Sequence, residues 1–108
     1  MLGKGPIKSV LAEELRNSFQ MKEGYERDLK ALPKGSMSRR SIGGHAYYYL
    51  VQRRGKKVVF SYRGKVSEKE LRRYEDAKKK RVQYRQLLSR VKRQIRFLKG
   101  ALRGKEPI

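Results

Sequence analysis

The sequence predicts an α+β protein: a three-stranded antiparallel sheet between an N-terminal helix and a long basic C-terminal helix with a coiled-coil-like seam. Three observations carry this. Pro33, Lys34 and Gly35 break an amphipathic first segment, glycine turns divide a β-rich centre, and a heptad pattern runs from Tyr74 to Leu102. A chain of 108 residues is one domain's worth of material, so these are read as parts of one structural domain. The parts are an N-terminal helix (1–32), the sheet (33–66), the C-terminal helix (67–104) and a tail (105–108).

The first helix is expected from about Ser9 to Leu32, after Pro6. Leu11, Leu15, Tyr25, Leu29 and Leu32 recur at alternating four and three residues, with Ser18 and Lys22 interrupting the seam. Gly24 weakens its middle by about 1 kcal/mol relative to Ala.

The centre reads as a meander: Met37 to Ile42, a Gly43-Gly44 turn, Ala46 to Arg53, a turn around Arg54 and Gly55, then Lys57 to Arg63. Alternation sets Tyr47, Tyr49 and Val51 against Tyr48, Leu50 and Gln52, and Val58, Phe60 and Tyr62 against Val59, Ser61 and Arg63. One face must be covered by a helix, because three short strands alone make no core.

Ser67 and Glu70 form a capping-box pattern that opens the second helix. Tyr74, Ala77, Tyr84, Leu88, Val91, Ile95, Leu98 and Leu102 make its seam, broken only by Arg81. About 36 helical residues span roughly 54 Å, too long for the small sheet to cover. The seam therefore needs either the N-terminal helix folded back on it or a second chain. Self-association or a partner protein through Tyr84, Leu88, Val91, Ile95 and Leu98 is one expectation.

Lys and Arg number 30 against 10 Asp and Glu, a net charge of +20, and self-repulsion of this size calls for an anionic partner. The charge is partitioned. Residues 1–32 are nearly balanced, whereas no acid lies between Asp28 and Glu68 or between Asp76 and Glu106. The first acid-free stretch holds Lys34, Arg39, Arg40, Arg53, Arg54, Lys56, Lys57, Arg63 and Lys65. The second holds Lys78, Lys79, Lys80, Arg81, Arg85, Arg90, Lys92, Arg93, Arg96, Lys99 and Arg103, with Lys78, Arg85, Lys92 and Lys99 in one stripe seven residues apart. Without acids beside them, these cations cannot form the salt bridges that usually flank a coiled-coil seam. A concentrated field of this kind suits a phosphate backbone.

Other classes lose ground on composition. No apolar run reaches the roughly 20 residues of a spanning helix, and the N-terminus lacks a signal-peptide pattern, so a cytoplasmic protein with no membrane partner is expected. With no cysteine, disulfides and thiolate metal sites are excluded. His45 is the single histidine and has no carboxylate near it in sequence, and Ser36, Ser38 and Ser41 have no base positioned to activate them. No catalytic residue, metal or cofactor is expected, and no Walker-type loop is present.

The segments Leu32-Pro33-Lys34-Gly35-Ser36, Ser38-Arg39-Arg40, Tyr47-Tyr48-Tyr49 and Tyr62-Arg63-Gly64-Lys65 resemble a pattern shared by a group of small basic prokaryotic proteins. They also resemble the N-terminal segment of some transposases and, more loosely, the three-stranded arm-binding domains of tyrosine recombinases. The resemblance covers about residues 32–70 and leaves out the long basic helix. It implies a sheet laid on nucleic acid, with Arg39, Arg40, Arg53, Arg54, Arg63 and Lys65 in the matching positions and DNA from a mobile element as the associated ligand. Nothing of a transposase's catalytic domain accompanies it, so no activity follows.

The resulting expectation is a non-enzymatic nucleic-acid-binding protein that docks on phosphates through sheet and helix. DNA is favoured, and an RNA-binding component of a ribonucleoprotein fits the same residues. Tyr47 and Tyr49 allow two readings, core anchors or platforms for base stacking. A protein-interaction adaptor or antitoxin-like regulator acting through the helical seam is the alternative of a different class.

Overall fold

The computed structural model describes residues 4–103. Residues 1–3 and 104–108, including the expected tail, lie outside the described residues. In chain order the elements are α1 (Lys4–Ala31), β1 (Ser36–Ile42), β2 (His45–Arg54), β3 (Lys57–Gly64) and α2 (Glu68–Arg103). The protein is α+β, with the sheet between the two helices along the chain. α1 begins earlier than the Pro6 signal suggests, because proline in a first helical turn gives up an N–H that has no intrahelical acceptor there.

These elements gather into two compact units, residues 4–30 with 83–103 and residues 31–82. The first is a helical hairpin. Tyr25 meets Tyr84 with ring centroids 6.3 Å apart, Ser18 meets Gln94, and Phe19 meets Lys99, so α1 and the second part of α2 run antiparallel. Val91, Ile95 and Leu98 are buried in this unit. The seam expected to recruit a partner protein is thus covered within the chain, by the fold-back of α1. Tyr84 and Leu88 are half-buried beside it.

Ser18, the break in the first seam, has no exposed surface, and its hydroxyl accepts a hydrogen bond of 2.9 Å from Gln94 Nε2. The bond favours this register of the two helices, since a slip would leave the buried Ser18 hydroxyl without its partner, whereas the exposed Gln94 can turn to water.

The second unit is the sheet with the first part of α2. Its strands are antiparallel in the order β1-β2-β3, with Met37 opposite Leu50 and Leu50 opposite Ser61. Leu50 is 1% exposed and Ala77 on α2 is 3% exposed, and these two make the centre of the small core. Met37 lies with Leu71 and Tyr74 along the crevice between sheet and helix. Gly43 and Gly44 both have positive φ, 57° and 80°, as the tight β1–β2 turn requires.

The Leu-Pro-Lys-Gly-Ser segment seats the sheet. Arg81 Nη2 donates to Pro33 O at 2.6 Å, and Gln52 Nε2 donates to Lys34 O at 3.1 Å. Gly35 has φ of 100°, and a Cβ placed there would lie 2.6 Å from Val51 O. At the head of α2, Ser67 Oγ accepts from Glu70 N at 3.1 Å, while the Glu70 carboxylate pairs with Arg73 instead of reaching back to Ser67. No helix among the described residues is long and apolar enough to cross a membrane.

Candidate nucleic-acid interface

Strand alternation and register sort the side chains of the sheet onto two faces. Met37, Arg39, Tyr48, Leu50, Gln52, Val59 and Ser61 share the face that α2 covers. The opposite face carries Ser36, Ser38, Arg40 and Ile42 from β1, Tyr47, Tyr49, Val51 and Arg53 from β2, and Val58, Phe60 and Tyr62 from β3. Nothing in the unit covers it: Ile42, Val58, Phe60 and Tyr62 are each more than half exposed.

The open face is an aromatic platform. Tyr62 lies 5.3 Å from Tyr49, edge-on, and 6.4 Å from Tyr47, so three phenols form one contiguous cluster. The Arg40 guanidinium sits 5.9 Å from the centroid of Tyr49. Arg40, Ser41, Ile42, Tyr49 and Phe60 line a shallow depression on this face. Tyr47 and Tyr49 are only half-buried, and what shields them is this cluster.

The predicted cations of the sheet are all exposed but do not share one surface. Arg40 and Arg53 stand on the open face, whereas alternation puts Arg39 on the other. Arg54, Lys56 and Lys57 cluster at the β2–β3 turn, and Lys34 lies in the loop before β1. Arg63 is the extra residue of a bulge: Tyr48 pairs with Gly64 and Tyr49 with Tyr62, leaving Arg63 outside the ladder. It lines the crevice beside α2 together with Lys65, Glu70 and Tyr74.

On α2, Lys78, Lys79, Lys80, Arg85, Lys92, Arg93, Arg96 and Lys99 are exposed. Lys99 lies 5.4 Å from the Phe19 ring, and Arg93 donates to Ser89 Oγ at 3.2 Å. Arg81 differs from the rest: it is half-buried and its guanidinium is engaged with the Pro33 carbonyl, a role in seating the sheet. The ion pairs Lys22–Glu26 and Arg73–Glu70 each lie within one helix and involve none of these residues.

The sequence pattern of the family described as a domain of unknown function, DUF6788, matches residues 9–73, more than half of the chain. The chain belongs to that family. The matched span takes in most of α1, the whole sheet and the start of α2, and ends before the Lys78–Arg81 run. No curated protein and no solved structure matches the chain.

Sequence reasoning did not single out Phe60 and Tyr62. Their signal was in the alternation of β3, which sets them beside Tyr49 once the meander register is drawn. His45 stands exposed at the β1–β2 turn, opposite Ile42, and among the described residues no three His, Cys, Asp or Glu side chains come together as a metal site.

Proposed function

We propose that the protein binds nucleic acid, holding the phosphate backbone through the exposed cations of its sheet. The observation that carries this is the acid-free sheet: from Lys34 to Lys65 every charged side chain is cationic, and none of these cations is paired with a carboxylate among the described residues. Unpaired cations at this density repel one another, and a polyanion relieves the repulsion while releasing its own counterions. The exposed cations of α2 offer the helical hairpin a field of the same sign. The resemblance to transposase N-terminal segments supports DNA, and association with a mobile element, over RNA. The burial of Val91, Ile95 and Leu98 within the chain favours the nucleic-acid reading over an adaptor acting through that seam.

The test is charge removal at matched positions. Replacing Arg53, Arg54 and Lys56 with Gln should weaken binding of a labelled oligonucleotide at least about tenfold at constant salt, with the far-UV circular dichroism unchanged. Neutralising Arg16, Arg27 and Lys30 on the nearly balanced α1 should change it far less. Equal losses would mean that net charge alone is responsible and would remove the sheet from the account.

A further inference from the structure

An antiparallel sheet with one face packed on a helix normally turns polar residues outward on the other. Here the outward face carries Tyr47, Tyr49, Tyr62, Phe60, Val51, Val58 and Ile42, while the packed face includes Ser61, Gln52 and Arg39. Exposing that much aromatic surface is a liability unless a ligand uses it.

Groove reading of duplex DNA needs donors and acceptors aimed at base edges, such as Arg, Lys, Asn or Gln. The open face offers chiefly ring carbons and branched aliphatics, with Arg40 and Arg53 near opposite ends of β1 and β2. This is the composition of a stacking platform, where flat bases lie on aromatic rings and neighbouring cations hold the phosphates.

Resting on the nucleic-acid reading above, we infer that the open face of the sheet stacks the unpaired bases of single-stranded DNA, with one base seated in the depression between Arg40, Ile42, Tyr49 and Phe60. Charge complementarity selects this occupant. A second copy of the same face would set Arg40 and Arg53 against a surface whose charged groups are again all cationic, and the sheet contains no acid to offset them. DNA is preferred to RNA because a ribose 2′-hydroxyl pressed on an apolar face loses water without gaining a partner. Tyr49 and Phe60 supply the stacking surface, Tyr62 extends it, and Arg40 stays over Tyr49 with donors free for a phosphate or base edge.

The chain has no tryptophan, and three of its seven tyrosines, Tyr47, Tyr49 and Tyr62, lie on this face, so partial quenching of the tyrosine emission that is lost in Tyr49→Phe and Tyr62→Ala reports on it. The probes are oligo(dT) and oligo(U) of about 16 nucleotides, a duplex of the same length and heparin, a polyanion without bases. Oligo(dT) should bind more tightly than duplex or oligo(U) and quench the tyrosines, whereas heparin should bind without quenching. Phe60→Ala and Tyr62→Ala, both at exposed positions, and Tyr49→Ala should each lower oligo(dT) affinity by about tenfold while heparin binding is kept. Tyr49→Phe should retain affinity, which separates a stacking ring from a hydroxyl that merely supports the fold.

Duplex and heparin binding with no preference for oligo(dT) and no loss in the variants overturns this inference and leaves the nucleic-acid reading standing. Failure of oligo(dT), duplex and heparin alike overturns both. Tighter binding of oligo(U), variants that change only the oligomeric state in light scattering, or equal loss of binding to anionic phosphatidylserine vesicles would reassign the face to RNA, to a protein or to a lipid surface.

Discussion

Replacing Gly35 with Ala tests how the sheet is seated. Gly35 holds φ of 100°, and a Cβ there would meet Val51 O at 2.6 Å, Gln52 Cγ at 2.7 Å and Leu50 Cδ1 at 3.1 Å. The positive φ alone costs an L-residue about 1–2 kcal/mol. The overlap adds about 1–3 kcal/mol, because its nearest atom is a ladder carbonyl that cannot turn aside. The sum is about 2–5 kcal/mol. At about 4–8 °C per kcal/mol for a chain of this size, Gly35→Ala should lower the Tm by at least about 8 °C. Gly43→Ala is the matched control, since Gly43 also has positive φ (57°) but nothing within 4 Å of the added carbon. Urea and thermal unfolding followed by circular dichroism should rank Gly35→Ala well below Gly43→Ala. Equal losses would refute the close approach of the loop to β2, and no loss in either would refute the backbone conformation at both turns.

Other perturbations read other parts of the chain. Ser18→Val removes the acceptor of the exposed Gln94 amide and should cost about 0.5–1.5 kcal/mol, a coupling that a double-mutant cycle with Gln94→Ala should recover. Gly24→Ala should raise stability by about 0.5–1 kcal/mol in urea melts, because the new carbon meets only the far end of Arg27, at 3.6 Å. Arg81→Met should destabilise the sheet unit yet leave the salt dependence of oligonucleotide binding unchanged, whereas Arg53→Gln should reduce the slope by about 0.7–0.9 and leave stability nearly intact.

The element boundaries were legible because their signals are local. Gly43-Gly44 and Gly55 fix the hairpins, Pro33 ends α1, and Ser67 caps α2, all within a few residues of what they control. The breaks in the two seams were visible, but their meaning was not. Ser18 finds Gln94 at a distance of 76 residues along the chain, and Arg81 finds the Pro33 carbonyl at 48. No periodicity encodes such partners. Arg81 consequently reads as one more cation in a basic run, although its guanidinium is committed to the loop.

The orientation of the sheet was the larger gap. Alternation separated Tyr47, Tyr49, Phe60 and Tyr62 from Leu50 and Ser61, but hydrophobicity would turn the aromatic side inward. In the structure Leu50 goes in, paired with Met37, and the aromatic side stays open. An aromatic face left open violates the rule that locates a core, and so only the register and the packing helix reveal it. The same alternation splits Arg40 and Arg53 from Arg39, and the bulge takes Arg63 out of the ladder, although the sequence places all four together.

The most direct measurement of the central claim is the dissociation constant of a labelled single-stranded oligonucleotide across a series of salt concentrations. With six to eight phosphates neutralised, log K should fall against log salt with a slope of roughly −4 to −6 for a single strand, and roughly −5 to −7 for a duplex. An affinity indifferent to salt, or no binding at low ionic strength, would contradict the account.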